Sequence, residues 1–267
     1  MLFDKHLVVV RGGGDLGTGA VARLHRAGFP IMVLELDRPL TIRRSVSVST
    51  AVTAGDCRVE DLEAAHVESI QEAIEAAADG QIPVLVSPFL PKLPEVASVL
   101  VDARLAKRNI DTTINDAELV VGLGPGFTAG ENCHAVVETK RGHHLGRVLW
   151  TGSAADNTGI PGAIGGESAA RVVRSARSGP LVWTAEIGEL VAVGDALGSI
   201  DGVPIQSRID GVVRGLLAEG IVSPGLKIAD VDPRADRSAC FEISDKSLAV
   251  GGGVLEAVLA WMNGATL

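Results

Sequence analysis

Short aliphatic runs punctuate the first half of the chain, each giving way to a polar or glycine-rich stretch. Leu7–Val10, Ile31–Leu34, Ile82–Val86, Val99–Asp102 and Glu118–Gly122 are continuous rather than alternating. That is the pattern of strands buried on both faces of a parallel sheet. Pro83 sits near the start of its run, where a strand tolerates it. Between the runs lie helical stretches: Val21–Gly28, and the amphipathic Glu68–Ala77, which ends at Asp79-Gly80. Ser45-Val46-Ser47-Val48 alternates with period two and predicts additional strand pairing. Ala135–Val137 predicts one more short strand. Up to about residue 125, this alternation predicts an α/β fold with a Rossmann-like parallel sheet.

From about Arg171 the texture changes: glycines become regular and helical segments disappear until Val254–Trp261. Val191–Ile200 and Val222–Val231 repeat the pattern V-x-x-G-x-x-Φ-x-x-Φ, where Φ is aliphatic. Two copies of a strand–turn–strand unit predict a small quasi-symmetric sandwich, similar to the barrel-sandwich fold of lipoyl and biotinyl carriers. The hairpin tip reads Asp201-Gly202-Val203-Pro204, so it lacks the lysine that such a carrier acylates. The expected division is a Rossmann-like cofactor domain over 1–170, a lipoyl-like β-rich module over 171–235, and a strand and helix over 236–267 that return to the core.

Candidate chemistry concentrates at the first strand end. Arg11-Gly12-Gly13-Gly14-Asp15-Leu16-Gly17 follows an apolar run and opens a helix, with Gly12, Gly14 and Gly17 matching G-x-G-x-x-G. Such a turn lets the backbone approach a pyrophosphate and aims a helix N-terminus at it. Glu35 ends the second run at the position where an acid usually holds a ribose hydroxyl. Asp15 and Thr18 suit helix capping, and Arg11 suits either a ligand or an internal ion pair. A second glycine loop, Gly122–Thr128, offers Gly124 and Gly126 as a cleft wall. Thr139, Arg141, Gly142 and His143 follow a short strand with the donors and close approach that an anion needs. Arg43-Arg44 is a further basic pair suited to an anionic ligand.

Composition narrows the picture. The 267 residues are 46% hydrophobic and 21% charged, with a net charge of −9 and a pI near 5.2, which argues against nucleic acid or an anionic membrane as partner. No apolar run has the length of a membrane span, and the chain enters its first strand too soon for a signal peptide. Cys57, Cys133 and Cys240 form no disulfide framework, so the chain is expected in the cytoplasm. Cys240 lies in a strand-like run. Cys133-His134 and His143-His144 fit no zinc spacing, and no metal site is expected.

Three stretches together resemble the YqeB family of accessory proteins for selenium-dependent molybdenum hydroxylases. They are Val10–Gly19 with Ala27–Phe29 and Glu35–Arg44, Gly122–Gly130 leading into Glu138–His143, and Ile243–Ala257. The chain is also similar in concept to XdhC-type accessory proteins. The resemblance implies maturation of a xanthine dehydrogenase-type hydroxylase, with a nucleotide-containing cofactor (a molybdopterin dinucleotide or NAD) and the hydroxylase as client protein. It identifies no catalytic residue, and a homo-oligomer fits it as well as a monomer. Two alternatives stand beside it, an NAD(P)-dependent oxidoreductase of a small metabolite and a non-catalytic adaptor. The chain contains no tyrosine, which removes a Tyr-Lys hydride-transfer pair.

Overall fold

The computed structural model describes residues 1–94, 96–156 and 170–264. The chain forms two compact units: Met1–Pro39, Ser47–Asn157 and Ile243–Leu267 in the first, Leu40–Val46 and Thr158–Glu242 in the second. The first begins with β1 (Val8–Arg11), α1 (Asp15–Ala27) and β2 (Ile31–Glu35). There follow α2 (Ala51–Ala54), β3 (Asp56–Val59), β4 (Leu62–Val67), α3 (Ile70–Ala78), β5 (Ile82–Val86), β6 (Val99–Asp102) and β7 (Leu119–Leu123). Then come β8 (Thr128–Ala129), β9 (Ala135–Val137), β10 (Val148–Leu149), β11 (Gly152–Ser153) and, after the second unit, α4 (Asp245–Met262).

Nine of these strands form one sheet in the order β10-β9-β7-β6-β1-β2-β5-β4-β3. Neighbours from β9 to β4 run parallel, whereas β3 and β10 pair antiparallel at the two edges. Every residue of β1, β6, β7 and β9 is buried, which is why these strands read as unbroken apolar runs.

The expected Rossmann-like parallel sheet is corrected here on two counts. The sheet is mixed, and among the described residues the crossovers β5–β6, β6–β7 and β7–β9 contain no helix. A doubly wound fold covers its sheet with crossover helices. Pro88, Pro91 and Pro94 work against one after β5, because each lacks an N–H and biases the residue before it away from helix. Leu105 and Lys107 take positive φ after β6, again against helix. Coverage of β7, β9 and β10 comes instead from α4.

The predicted strand at Ser45–Val48 is also absent. Arg44–Val46 and Val48–Thr50 are 3-10 turns, with Val46, Ser47 and Val48 all buried, so the alternation does not mark two faces. Cys240 likewise falls in a 3-10 turn, Ser238–Cys240, rather than a strand.

The second unit holds β12 (Val172–Arg174), β13 (Gly179–Trp183), β14 (Leu190–Val191), β15 (Ala196–Ile200), β16 (Val203–Gln206), β17 (Gly211–Leu216), β18 (Gly220–Val222) and β19 (Lys227–Asp232). They make two four-stranded antiparallel sheets, β12-β19-β17-β14 and β16-β15-β13-β18. One copy of the sequence repeat passes from β14 to β15, and the other returns from β18 to β19. Leu181, Leu197, Val213, Leu216, Val222 and Ile228 pack the core of this unit.

The lipoyl-like module expected over 171–235 is corrected to this pair of sheets, completed by residues 40–46 and the 3-10 turn. Arg43 Nη2 donates to the Ala239 and Glu242 carbonyls at 2.9 and 3.2 Å, and Arg44 Nε donates to Leu216 O at 2.7 Å. A far segment of sequence is therefore built into the unit.

In the first unit, α1 and α4 approach backbone to backbone. A Cβ on Gly19 would lie 2.2 Å from Ser247 O, and one on Gly251 would lie 2.1 Å from Gly19 O. The adjacent Gly252 faces open space. Gly251→Ala is therefore expected to destabilise the protein by about 1–3 kcal/mol, because the helices must separate. Gly252→Ala should be neutral or stabilising by up to about 1 kcal/mol. Urea midpoints of the two variants test this, and equal midpoints would refute the close contact.

Candidate functional site

The apolar β1 delivers Arg11 and the glycine turn to the carboxyl edge of the sheet. Gly12 has φ +97°, and a Cβ there would meet Ala103 O at 3.0 Å, so a side chain is strained on both counts. Gly17 lies against the same turn, its Cβ position 2.0 Å from Gly12 O. Gly14 is the N-cap of α1, in extended conformation and without a side-chain cap. Leu16 is buried on the first turn. The cap position is thus held by Gly14 rather than by Asp15 or Thr18. Thr18 Oγ1 donates to Gly13 O and accepts from Val48 N, while Asp15 Oδ1 accepts from Ser247 Oγ at 2.6 Å.

Glu35 closes the turn from the end of β2. Its Oε2 accepts Gly13 N and its Oε1 accepts Leu36 N, both at 2.8 Å. Burial pushes the Glu35 carboxyl above its ordinary pKa, against the pull of those two N–H bonds.

Arg11 resolves into an internal ion pair. Its guanidinium is buried, donating to Thr112 Oγ1 at 2.9 Å and to Asp111 Oδ2 at 3.0 Å. Arg104 pairs with the same Asp111 at 2.8 Å and with Asp102, which also accepts from Thr112 Oγ1 at 2.7 Å.

The later loops lie at the carboxyl ends of β7 and β9. Gly124 and Gly126 have positive φ, and Gly124 N donates to Val137 O at 2.9 Å. Thr139 is buried against Gly124. Glu138, also buried, accepts from Lys140 N and Ala155 N. Gly142 and His143 are exposed, and His143 makes an edge contact with His144. Arg141 forks onto the Asp245 carboxylate at 2.9 and 3.2 Å.

That fork leads to the group sequence reasoning missed, the first turn of α4. Ser244 caps this helix by accepting Ser247 N, and Ser247 in turn reaches Asp15 on α1. Two helix N-termini, each carrying partial positive charge, are thus tied together by one hydroxyl. Beside them sits Lys246, whose pKa is pushed down by burial and by Arg141 while Asp15, Glu138 and Asp245 push it up. The spacing Ser244-x-x-Ser247 followed by apolar residues was a helix-start signal in the sequence. Nothing local marked where that helix would dock.

The first unit therefore gathers Arg11, Gly12, Gly13, Gly14, Asp15, Leu16, Gly17, Glu35, Gly124, Gly126, Thr139, Arg141, Gly142 and His143 at strand ends and the loops that follow. Arg43 and Arg44 bond within the second unit. Burial raises all three thiols, Cys133 to about 12, which disfavours the thiolate a nucleophile needs. No helix among the described residues is long and apolar enough to cross a membrane.

No protein-family model matches the chain. It is 43% identical over 259 residues to the uncharacterized protein YqeB of Escherichia coli K12, an alignment covering 96% of this chain and 48% of that protein. The chain thus spans about half the length of the relative it matches, and the similarity supports the YqeB family name.

Among solved structures, an aspartoacylase family protein from Mesorhizobium loti aligns with TM-score 0.30 at 13% identity, over 85% of this chain and 84% of that one. A succinylglutamate desuccinylase from Silicibacter aligns with TM-score 0.26 at 13% identity, over 85% and 84%. At these TM-scores neither fold nor activity carries over. None of these names mentions molybdenum or selenium. The expected accessory role for a molybdenum hydroxylase is withdrawn on that finding, together with its oxidoreductase and adaptor alternatives.

The ion network yields a pH-dependent prediction. Despite burial, which acts the other way, the Arg11 and Arg104 guanidiniums hold Asp111 below the ordinary carboxylate pKa of 3.8. A depressed carboxyl contributes stability above its unfolded pKa and loses it as pH falls through the folded value. Asp111→Asn should cost about 1–3 kcal/mol at pH 7, because it strips a buried guanidinium of its charge partner. The difference from the parent should close below pH 3.8. Urea unfolding at pH 7 and in the acid range checks both halves.

Proposed function

We propose that the first unit binds a phosphate-bearing small molecule at the start of α1. The observation that carries this reading is the convergence of two helix N-termini, α1 at Asp15 and α4 at Asp245, joined through Ser247 and flanked by Arg141. Helix N-termini favour anions through partial charge and oriented N–H groups. The glycine turn sets the start of α1 tightly, because the Cβ positions of Gly12 and Gly17 are taken by Ala103 and by the Gly12 carbonyl.

A nucleotide-containing cofactor such as NAD is a ligand of this class. Glu35 supports it, being an acid at the end of β2 bonded to the same turn, the position from which a carboxylate accepts a ribose hydroxyl. Protein from the chain as it stands should melt at higher temperature with millimolar pyrophosphate, AMP or NAD, since a ligand that binds only the folded state stabilises it. NADP should bind more weakly than NAD, because its 2′-phosphate would meet the Glu35 carboxylate. Arg141→Ala should weaken pyrophosphate binding by about tenfold, the loss of one charge-assisted contact. No melting shift with any of the three ligands would overturn the reading.

A further inference from the structure

We infer that residues 103–112, which follow β6, form a strap that Asp111 latches across the carboxyl edge of the sheet. A phosphate-bearing ligand opens it by taking the place of the Asp111 carboxylate on Arg11 and Arg104. The inference rests on the phosphate-binding reading above and names what guards that site.

The chain passes from β1 to β2 on one side of β1, whereas β6 pairs with β1 on the other. The crevice outside the strand ends at such a reversal is where an open, internally parallel sheet binds ligands. In this protein the strap stands there. A Cβ on Gly12 would lie 3.0 Å from Ala103 O and 3.1 Å from Arg104 Cα. One on Gly126 would lie 2.5 Å from Arg108 Cα. The two glycine turns that the sequence offers to a ligand thus have strap backbone against them.

Side chains, rather than backbone ladders, hold the strap. Ala103 N donates to Arg11 O at 2.8 Å, but from Arg104 to Thr112 no backbone group bonds to another among the described residues. Ile110 is 54% exposed, so burial adds little. Asn109 staples the strap to itself, its side chain accepting from Thr112 N at 2.9 Å and donating to Thr112 O at 2.6 Å. The latch is one carboxylate on two guanidiniums. Asp111 lies 2.9 and 3.0 Å from the two terminal nitrogens of Arg11 and 2.8 Å from Arg104 Nη2.

Arg11 is buried, while the Asp111 side chain is 31% exposed, so a solute anion meets the carboxylate end of the pair. Guanidinium forks match phosphate as well as carboxylate. Displacement therefore exchanges anion for anion, and neither arginine is left without a charge partner, the costly outcome of breaking a buried pair.

Trypsin reads the latch, because Lys107 and Arg108 are exposed on the strap and a segment must come free of its fold before it is cut. Pyrophosphate should speed cleavage of the intact chain after these two residues about tenfold, with cleavage after the exposed Arg58 on β3 no faster. Asp111→Asn should be cut at the faster rate without ligand and should bind pyrophosphate about tenfold more tightly, since no opening cost remains. Asn109→Ala should move both readouts in the same direction. It changes no charge, so it separates release of the strap from removal of a repelling carboxylate, and it serves where Asp111→Asn does not fold.

Unchanged or slower cleavage after Lys107 and Arg108 with pyrophosphate, or Asn109→Ala binding no more tightly than the parent, would overturn the inference. A melting shift of the parent with pyrophosphate but without these changes would remove the strap and leave the binding reading standing. No shift in the parent or in either variant would remove both.

Discussion

The backbone contact between α1 and α4 is the constraint on which the first unit depends. Gly19 and Gly251 each place their Cα against a carbonyl of the opposite helix, with no room for a methyl group at either position. Because the helices touch at that depth, α4 can cover β7, β9 and β10, where the crossovers supply no helix. The same contact fixes the first turn of α4 beside the first turn of α1. Packing and local geometry are thus one arrangement: the glycines that close the core also bring Ser247 to Asp15, next to the glycine turn.

Charge at the carboxyl edge is arranged in two different ways. On the β6 side, Arg11, Arg104, Asp102, Asp111 and Thr112 satisfy one another, a closed network whose members orient the loops. On the α4 side, the Arg141–Asp245 pair is exposed and therefore contributes little to stability. Stabilising ion pairs and groups accessible to a ligand are separated along one edge.

Strands were the most legible feature, because β1, β2, β5, β6, β7 and β9 are buried on both faces and leave an aliphatic signature that little else produces. Crossover structure was less so. The three prolines after β5 argue against a helix there, but local sequence does not say what covers the sheet instead. Val46 and Val48 alternate like a strand yet are both buried in turns, where period two carries no facial meaning. The glycine turn was visible in full, whereas the residue of α4 that joins it was not. Ser247 reaches Asp15 across 232 positions of sequence, a contact that no local pattern encodes. Arg43 and Arg44 show the converse, a basic pair next to the motif that folds into the other unit.

The first unit is discontinuous in sequence, with residues 158–242 of the second unit lying between its sheet and α4. During synthesis, the strands and α1 therefore emerge long before the helix that seals them. Until α4 arrives, the glycine face of α1 and the covered side of β7 and β9 stand open to water and to chaperones. A ribosome stalled anywhere in the second unit would release a first unit without Ser247 or Lys246. The bond from Ser247 to Asp15 thus forms only after the second unit has been made, and a product ending within that unit would lack it.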